Sequence, residues 1–234
     1  MACIKPPARV TARVPSTGPT LVARPALTPN QIKDFELRAS LPQELPAGLK
    51  VTNRIDLTLD EVNPTTLKPE TAYVYEKSVY VTDEHGHTAY VHGELRLVEN
   101  SHSLRSKKGM QTKASAAAGG ATNGYHGGHL IGLDLGGHPT GPNLFAQQQH
   151  FNQALFRVFE REAKAALKNG VKVELEVRIF DESPGDAVPD GLILNYTIGE
   201  VAMPEIVLMN IAEQLGNNPA EDTRRPSIMT PGPE

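Results

Sequence analysis

The chain has 234 residues, 39% hydrophobic and 21% charged, with a formal net charge of -4 at pH 7. No stretch approaches the roughly 18 to 20 apolar residues that span a bilayer, and Met1 to Asn30 lacks an apolar run behind a basic start, so no signal peptide is expected. A single cysteine, Cys3, rules out an intrachain disulfide and a cysteine cage, so any metal must be held by nitrogen and oxygen ligands.

Residues 1–30 are rich in Pro, Ser and Thr with scattered Arg and no sustained period, which reads as a flexible arm. The folded domain is expected over 31–216, with its core at about 70–200. From Ala72 to Glu99 two alternating segments, AYVYEKSVYV and HTAYVHGELRLV, flank the turn-like TDEHG and predict an antiparallel hairpin. Residues 101–124 are polar, basic and finally small, a long loop of the kind that tends to carry function. YHGGHLIGLDLGGHPTGPNLFAQQ then reads as two short strands joined by an irregular connection.

From Gln149 to Asn169 the apolar residues Phe151, Leu155, Val158, Phe159, Ala166 and Leu167 recur at three- and four-residue steps, with Gly170 as a C-terminal cap. VKVELEVRIF (171–180) alternates as a strand, and LILNYTIGE (192–200) pairs with it. MPEIVLMNIAEQLG (203–216) reads as a last helix, and residues 217–234, with four prolines, as a flexible tail. The fold class is α+β: an antiparallel sheet with few helices. Charge is unevenly divided, ten basic against five acidic residues over 101–180 but two against ten over 181–234. A basic middle suits phosphate neutralisation, although such counts also arise on ordinary solvated faces.

The stretch Tyr125 to Glu160 compresses strand, loop, strand and helix, and it carries a resemblance. Gly128-His129-Leu130-Ile131, then Asn143-Leu144-Phe145-Ala146-Gln147, then Asn152 with Glu160 eight residues later, are similar in order and spacing to the signature of the DNA/RNA non-specific endonuclease family. The likeness covers residues 70 to 200 and is closest to the branch found as toxin domains of bacterial secreted effectors. It implies a ββα-metal (His-Me finger) site with His129 as general base, Asn152 as metal ligand, Glu160 ordering metal-bound waters, and Gly128, Asn143 and Gln147 in support. It also implies Mg²⁺ (or Mn²⁺) as cofactor and DNA, with RNA, as substrate, cut to leave a 5′-phosphate and a 3′-hydroxyl. A producer-made immunity protein and export into a target cell's cytoplasm by a specialised machine complete the implied setting. Many relatives carry Asp-Arg-Gly-His where this chain has His126-Gly127-Gly128-His129, so the supporting cation must come from elsewhere: Arg157 or Arg105.

The residue types fit this chemistry. Phosphodiester hydrolysis needs a nucleophile at neutral pH and stabilised charge on the phosphate. An imidazole of ordinary pKa near 6.5 can take a proton from water. Mg²⁺ prefers oxygen ligands and keeps several waters, so one amide and one carboxylate suffice. Positions 152, 156 and 160 lie at successive i+4 steps, so Asn152 and Glu160 share one side of the helix. Taken singly, each residue has a plainer reading: His129 structural, Asn152 a helix-start residue, Glu160 a solvated charge, Arg157 an ion-pair partner. Two other functions remain open. One is a zinc hydrolase using His126, His138 and His150, although HGGH lacks the helical register and Glu of HExxH. The other is a non-catalytic nucleic-acid-binding module.

Overall fold

The computed structural model describes residues 45–105, 109–181 and 187–210, without the side chains of residues 150–155. The arm 1–30, the tail 217–234 and residues 211–216 of the expected last helix lie outside the described residues. Among the described residues ten strands run β1(Asn53–Asp56), β2(Thr71–Tyr75), β3(Ser78–Thr82), β4(Thr88–Glu94), β5(Tyr125–His129), β6(Leu144–Gln148), β7(Val173–Phe180), β8(Gly191–Ile198), β9(Val201–Ala202) and β10(Ile206–Met209). Two α-helices join them among the described residues: α1(Met110–Ala116) and α2(Gln149–Lys168). The class is α+β, as the sequence predicts.

The large sheet has the order β1-β2-β3-β4-β7-β8-β10, with β9 paired to β8. Its ladders are antiparallel except β1 with β2, which is parallel. In β7 the alternation is literal: Val173, Leu175 and Val177 are buried while Glu174 and Glu176 are only partly covered. The buried face receives α2 through Phe156, Phe159 and Ala163. Phe159 meets Phe156 and Tyr196 edge-on, with centroids 5.9 and 5.0 Å apart. The small sheet, β5 with β6, closes the same core with Phe145, joined by Leu130 and Ile131 directly after β5.

Four expectations change. AYVYEKSVYV is itself a hairpin, β2 and β3 turning at Glu76-Lys77, so three strands stand where two are expected. Glu76 takes a positive φ of 52°, and its carboxylate is held by the Arg96 guanidinium. The 101–124 loop contains α1 and two single 3₁₀ turns. On α2 the buried stripe runs through Phe156 rather than Val158, which is only partly covered. Finally, Ile206–Met209 is a strand paired with β8, not a helix.

One buried amide ties the small sheet to the large one. Asn210, 2% exposed, accepts from Gln148 N–H at 2.7 Å and donates to the carbonyls of Ala146 at 2.8 Å and Pro189 at 2.7 Å. Strand β6, and with it the start of α2, is thereby fixed relative to β8 and β10.

Candidate functional site

Strand β5 places His129 where two glycines let neighbouring elements close in. A Cβ on Gly127 would stand 2.1 Å from the Gln111 carbonyl oxygen, so only glycine allows α1 to lie directly on the strand. A Cβ on Gly128 would stand 1.8 Å from Gln147 Oε1, because the buried Gln147 side chain crosses that position. Gln111 Nε2 in turn donates to the Gly127 carbonyl at 3.0 Å. The Gly-Gly pair thus lets α1 and β6 pack against the strand that ends in His129.

The connection from β5 to β6 is stiffened by Asn143, which is wholly buried. Its Oδ1 accepts from Ile131 N–H at 2.8 Å, and its Nδ2 donates to the carbonyls of Ile131 at 2.9 Å and His138 at 2.7 Å. Two further bonds dock the connection on the chain after β4: Arg96 N–H to Leu135 O at 3.2 Å and Val98 N–H to Asp134 O at 3.0 Å.

The His129 ring is held at one nitrogen. Nε2 lies 3.2 Å from the Pro139 carbonyl oxygen, which can only accept, so the proton of the neutral ring sits on Nε2 and Nδ1 carries the lone pair. Burial pulls the His129 pKa down to about 4; the Pro139 bond opposes this, and the charges of Arg105 and His138 reinforce it. At pH 7 the ring is neutral and able to accept a proton. His129 lines a polar cleft of about 210 Å³ together with Glu160, Arg105, Gln111 and Asp134. Burial raises the Glu160 carboxyl above the usual range; Lys164 and Arg157 oppose this, while the Asp134 charge adds to it.

The other sequence-predicted residues fall as follows. Asn152 lies in the first turn of α2, about 12 Å along the helix axis from Glu160 at 1.5 Å per residue. Arg157 is exposed and is not among the residues lining the cleft, whereas Arg105 is. His126 is exposed. His138 is fully buried, with Nε2 2.8 Å from the Thr58 carbonyl oxygen and its ring edge-on to Tyr75. It braces the connection. Among the described residues no group of three His, Cys, Asp or Glu side chains converges to hold a metal.

The model of DNA/RNA non-specific endonucleases matches residues 69–199, more than half of the chain. The chain belongs to that family. No curated protein sequence matches it. Solved structures similar to this nuclease include NucA from Streptococcus agalactiae with a magnesium ion bound, at 18% identity, TM-score 0.47, covering 64% of this chain and 78% of that one. A second is the Sda1 nuclease with a bound zinc ion, at 11% identity, TM-score 0.45, covering 59% and 76%.

All the residues that line the His129 cleft fall within the matched span. Sequence reasoning names His129, Glu160 and Arg105 on that cleft but misses Gln111 and Asp134. Gln111 reaches the cleft only because α1 lies on Gly127. Asp134 stands two residues after GHLIG, but its proximity to α2 has no local sequence signal.

Proposed function

We propose that this nuclease cuts DNA, and RNA as a second substrate, endonucleolytically, with a divalent ion, Mg²⁺ or Mn²⁺, held between Asn152 and Glu160. The observation that carries the reading is the neutral His129 ring, fixed at Nε2 by Pro139, on the same cleft as Glu160. The donor set fits a hard cation. Glu160 is a partly dehydrated carboxylate, its pKa raised first by burial, and oxygen ligands suit Mg²⁺. When bound, the ion supplies Lewis acidity at the phosphate and on the leaving oxygen.

His129 Nδ1 takes the proton of the attacking water, and the Pro139 carbonyl holds the ring in the tautomer that can do so. Arg105, rather than Arg157, contacts the phosphate, because Arg105 lines the cleft. Glu160 would accept hydrogen bonds from the waters of a bound ion. Contacts to phosphates carry no sequence information, so weak base discrimination follows. The likeness to the toxin branch supports a setting in which the protein is an effector delivered into a target cell's cytoplasm, with a cognate immunity protein as partner. Among the described residues no helix is long and apolar enough to cross a membrane.

The test is nicking of supercoiled plasmid by the purified full chain at pH 7.5 and 5.5, with Mg²⁺ and with EDTA. Cleavage is expected with Mg²⁺ and none with EDTA. A histidine of ordinary pKa would be only about one-tenth neutral at pH 5.5. His129, whose pKa is depressed, stays neutral down to about pH 4, so the rate at pH 5.5 should remain within about threefold of that at pH 7.5. Binding without cutting would support the non-catalytic module, and a tenfold or larger fall at pH 5.5 would contradict the neutral-base account.

A further inference from the structure

Two carboxylates, from different elements, meet over one glycine. A Cβ on Gly132 would stand 2.7 Å from Glu160 Oε1 and 2.9 Å from Asp134 Oδ1, so the absence of a side chain there opens the space the two oxygens share. Asp134 sits on the 3₁₀ turn Leu133–Leu135, whose position is fixed because its own carbonyl accepts from Val98 and the Leu135 carbonyl from Arg96. Its other oxygen, Oδ2, pairs with Lys164 Nζ at 2.5 Å, one helical turn beyond Glu160. Asp134 and Glu160 both line the cleft that holds His129. Lys164 pairs with Asp134 and, together with Arg157, acts on the Glu160 charge, so the two carboxylates share their cations at this corner.

A structural ion pair between Asp134 and Lys164 explains little of this arrangement. Their side chains are 40% and 31% exposed, and pairs so open to water contribute under about 1 kcal/mol. A hydrated Mg²⁺ presents several waters, each needing an acceptor, and two carboxylates close together supply adjacent ones.

We propose that Asp134 belongs to the metal site, accepting hydrogen bonds from the ion's waters beside Glu160. This rests on the metal-dependent reading above, so its test reads binding rather than cleavage. Mn²⁺ affinity of the full chain is measured by electron paramagnetic resonance for the wild type, Asp134→Asn and Lys164→Met, with melting temperature recorded for each. Asp134→Asn should weaken Mn²⁺ binding about tenfold, the scale of losing an outer acceptor, with little change in melting. Lys164→Met removes a cation and keeps both carboxylates, so it should bind Mn²⁺ at least as tightly as the wild type. If both variants weaken binding equally, or Asp134→Asn leaves it unchanged, Asp134 is only an ion-pair partner and the proposal fails. A wild type that binds Mn²⁺ but cuts nothing removes the nuclease reading alone, while a wild type that binds no Mn²⁺ removes both.

Discussion

Replacing His129 with Ala should lower kcat for plasmid cleavage about 10³-fold while leaving the fold and the affinity for nucleic acid nearly unchanged. General base catalysis by a positioned side chain contributes about 10² to 10⁴. The ring, held by Pro139 and with its pKa lowered by burial, is at pH 7 in the neutral form that accepts a proton. The substitution removes one partly buried ring that makes a single hydrogen bond to a loop carbonyl, so the cost to stability should stay within about 2 kcal/mol. Steady-state kinetics, a melting curve and a filter-binding measurement check the three parts, and added imidazole should restore part of the lost rate. A loss of less than tenfold would mean that another group activates water.

The second large effect belongs to Asn143. Converting it to Ala leaves Ile131 N–H, Ile131 C=O and His138 C=O without their partner inside a buried connection. Each stranded group costs about 1 to 3 kcal/mol, less whatever water can enter, so a total near 4 kcal/mol is expected. That corresponds to a fall of about 10 °C in melting temperature for a domain of this size. Asn143→Asp keeps the acceptor for Ile131 N–H but turns a second oxygen toward two carbonyls, so it should be no milder. Activity should fall with both, because the connection carries Pro139, the carbonyl that orients His129. Chemical unfolding decides the matter: a loss below 1 kcal/mol for Asn143→Ala would show that the connection does not depend on this amide.

These two residues mark what the sequence makes legible. Strand β5, its irregular connection, β6 and α2 follow in chain order from alternating apolar pieces, Gly-rich punctuation and a helical period, and each stands in the structure within about two residues of its expected place. The Glu76-Lys77 turn is illegible because two-residue hairpin loops are recognised by Gly or Asn. Here a glutamate takes the left-handed conformation, with its carboxylate held by Arg96, twenty residues away. The stretch 203–216 looks helical because Met203, Ile206, Val207 and Asn210 stand three and four apart, yet pairing with β8 claims Ile206–Met209 as a strand and buries Leu208. On α2 apolar residues occur at 151, 155, 156, 158 and 159, so periodicity establishes a helix without saying which edge of the stripe meets the sheet.

The site divides the same way. His129, Asn152 and Glu160 are carried by order and spacing within one stretch. The neighbourhood that gives them chemical character is tertiary: Arg105 and Gln111 arrive with the segment around α1, and Asp134 meets Lys164 across thirty residues. Arg157, attractive from its place one turn beyond Asn152, is exposed outside the cleft.

In the proposed site a divalent ion lies in the His129 cleft, between the start of α2 and Glu160. Anomalous diffraction from crystals of the full chain grown with Mn²⁺ tests this directly. A peak within direct ligand distance of the Asn152 amide oxygen, and one water away from Glu160 and His129, is the predicted result. A Mn²⁺ peak elsewhere on the molecule with none in that cleft, from protein that still cuts DNA, would contradict it.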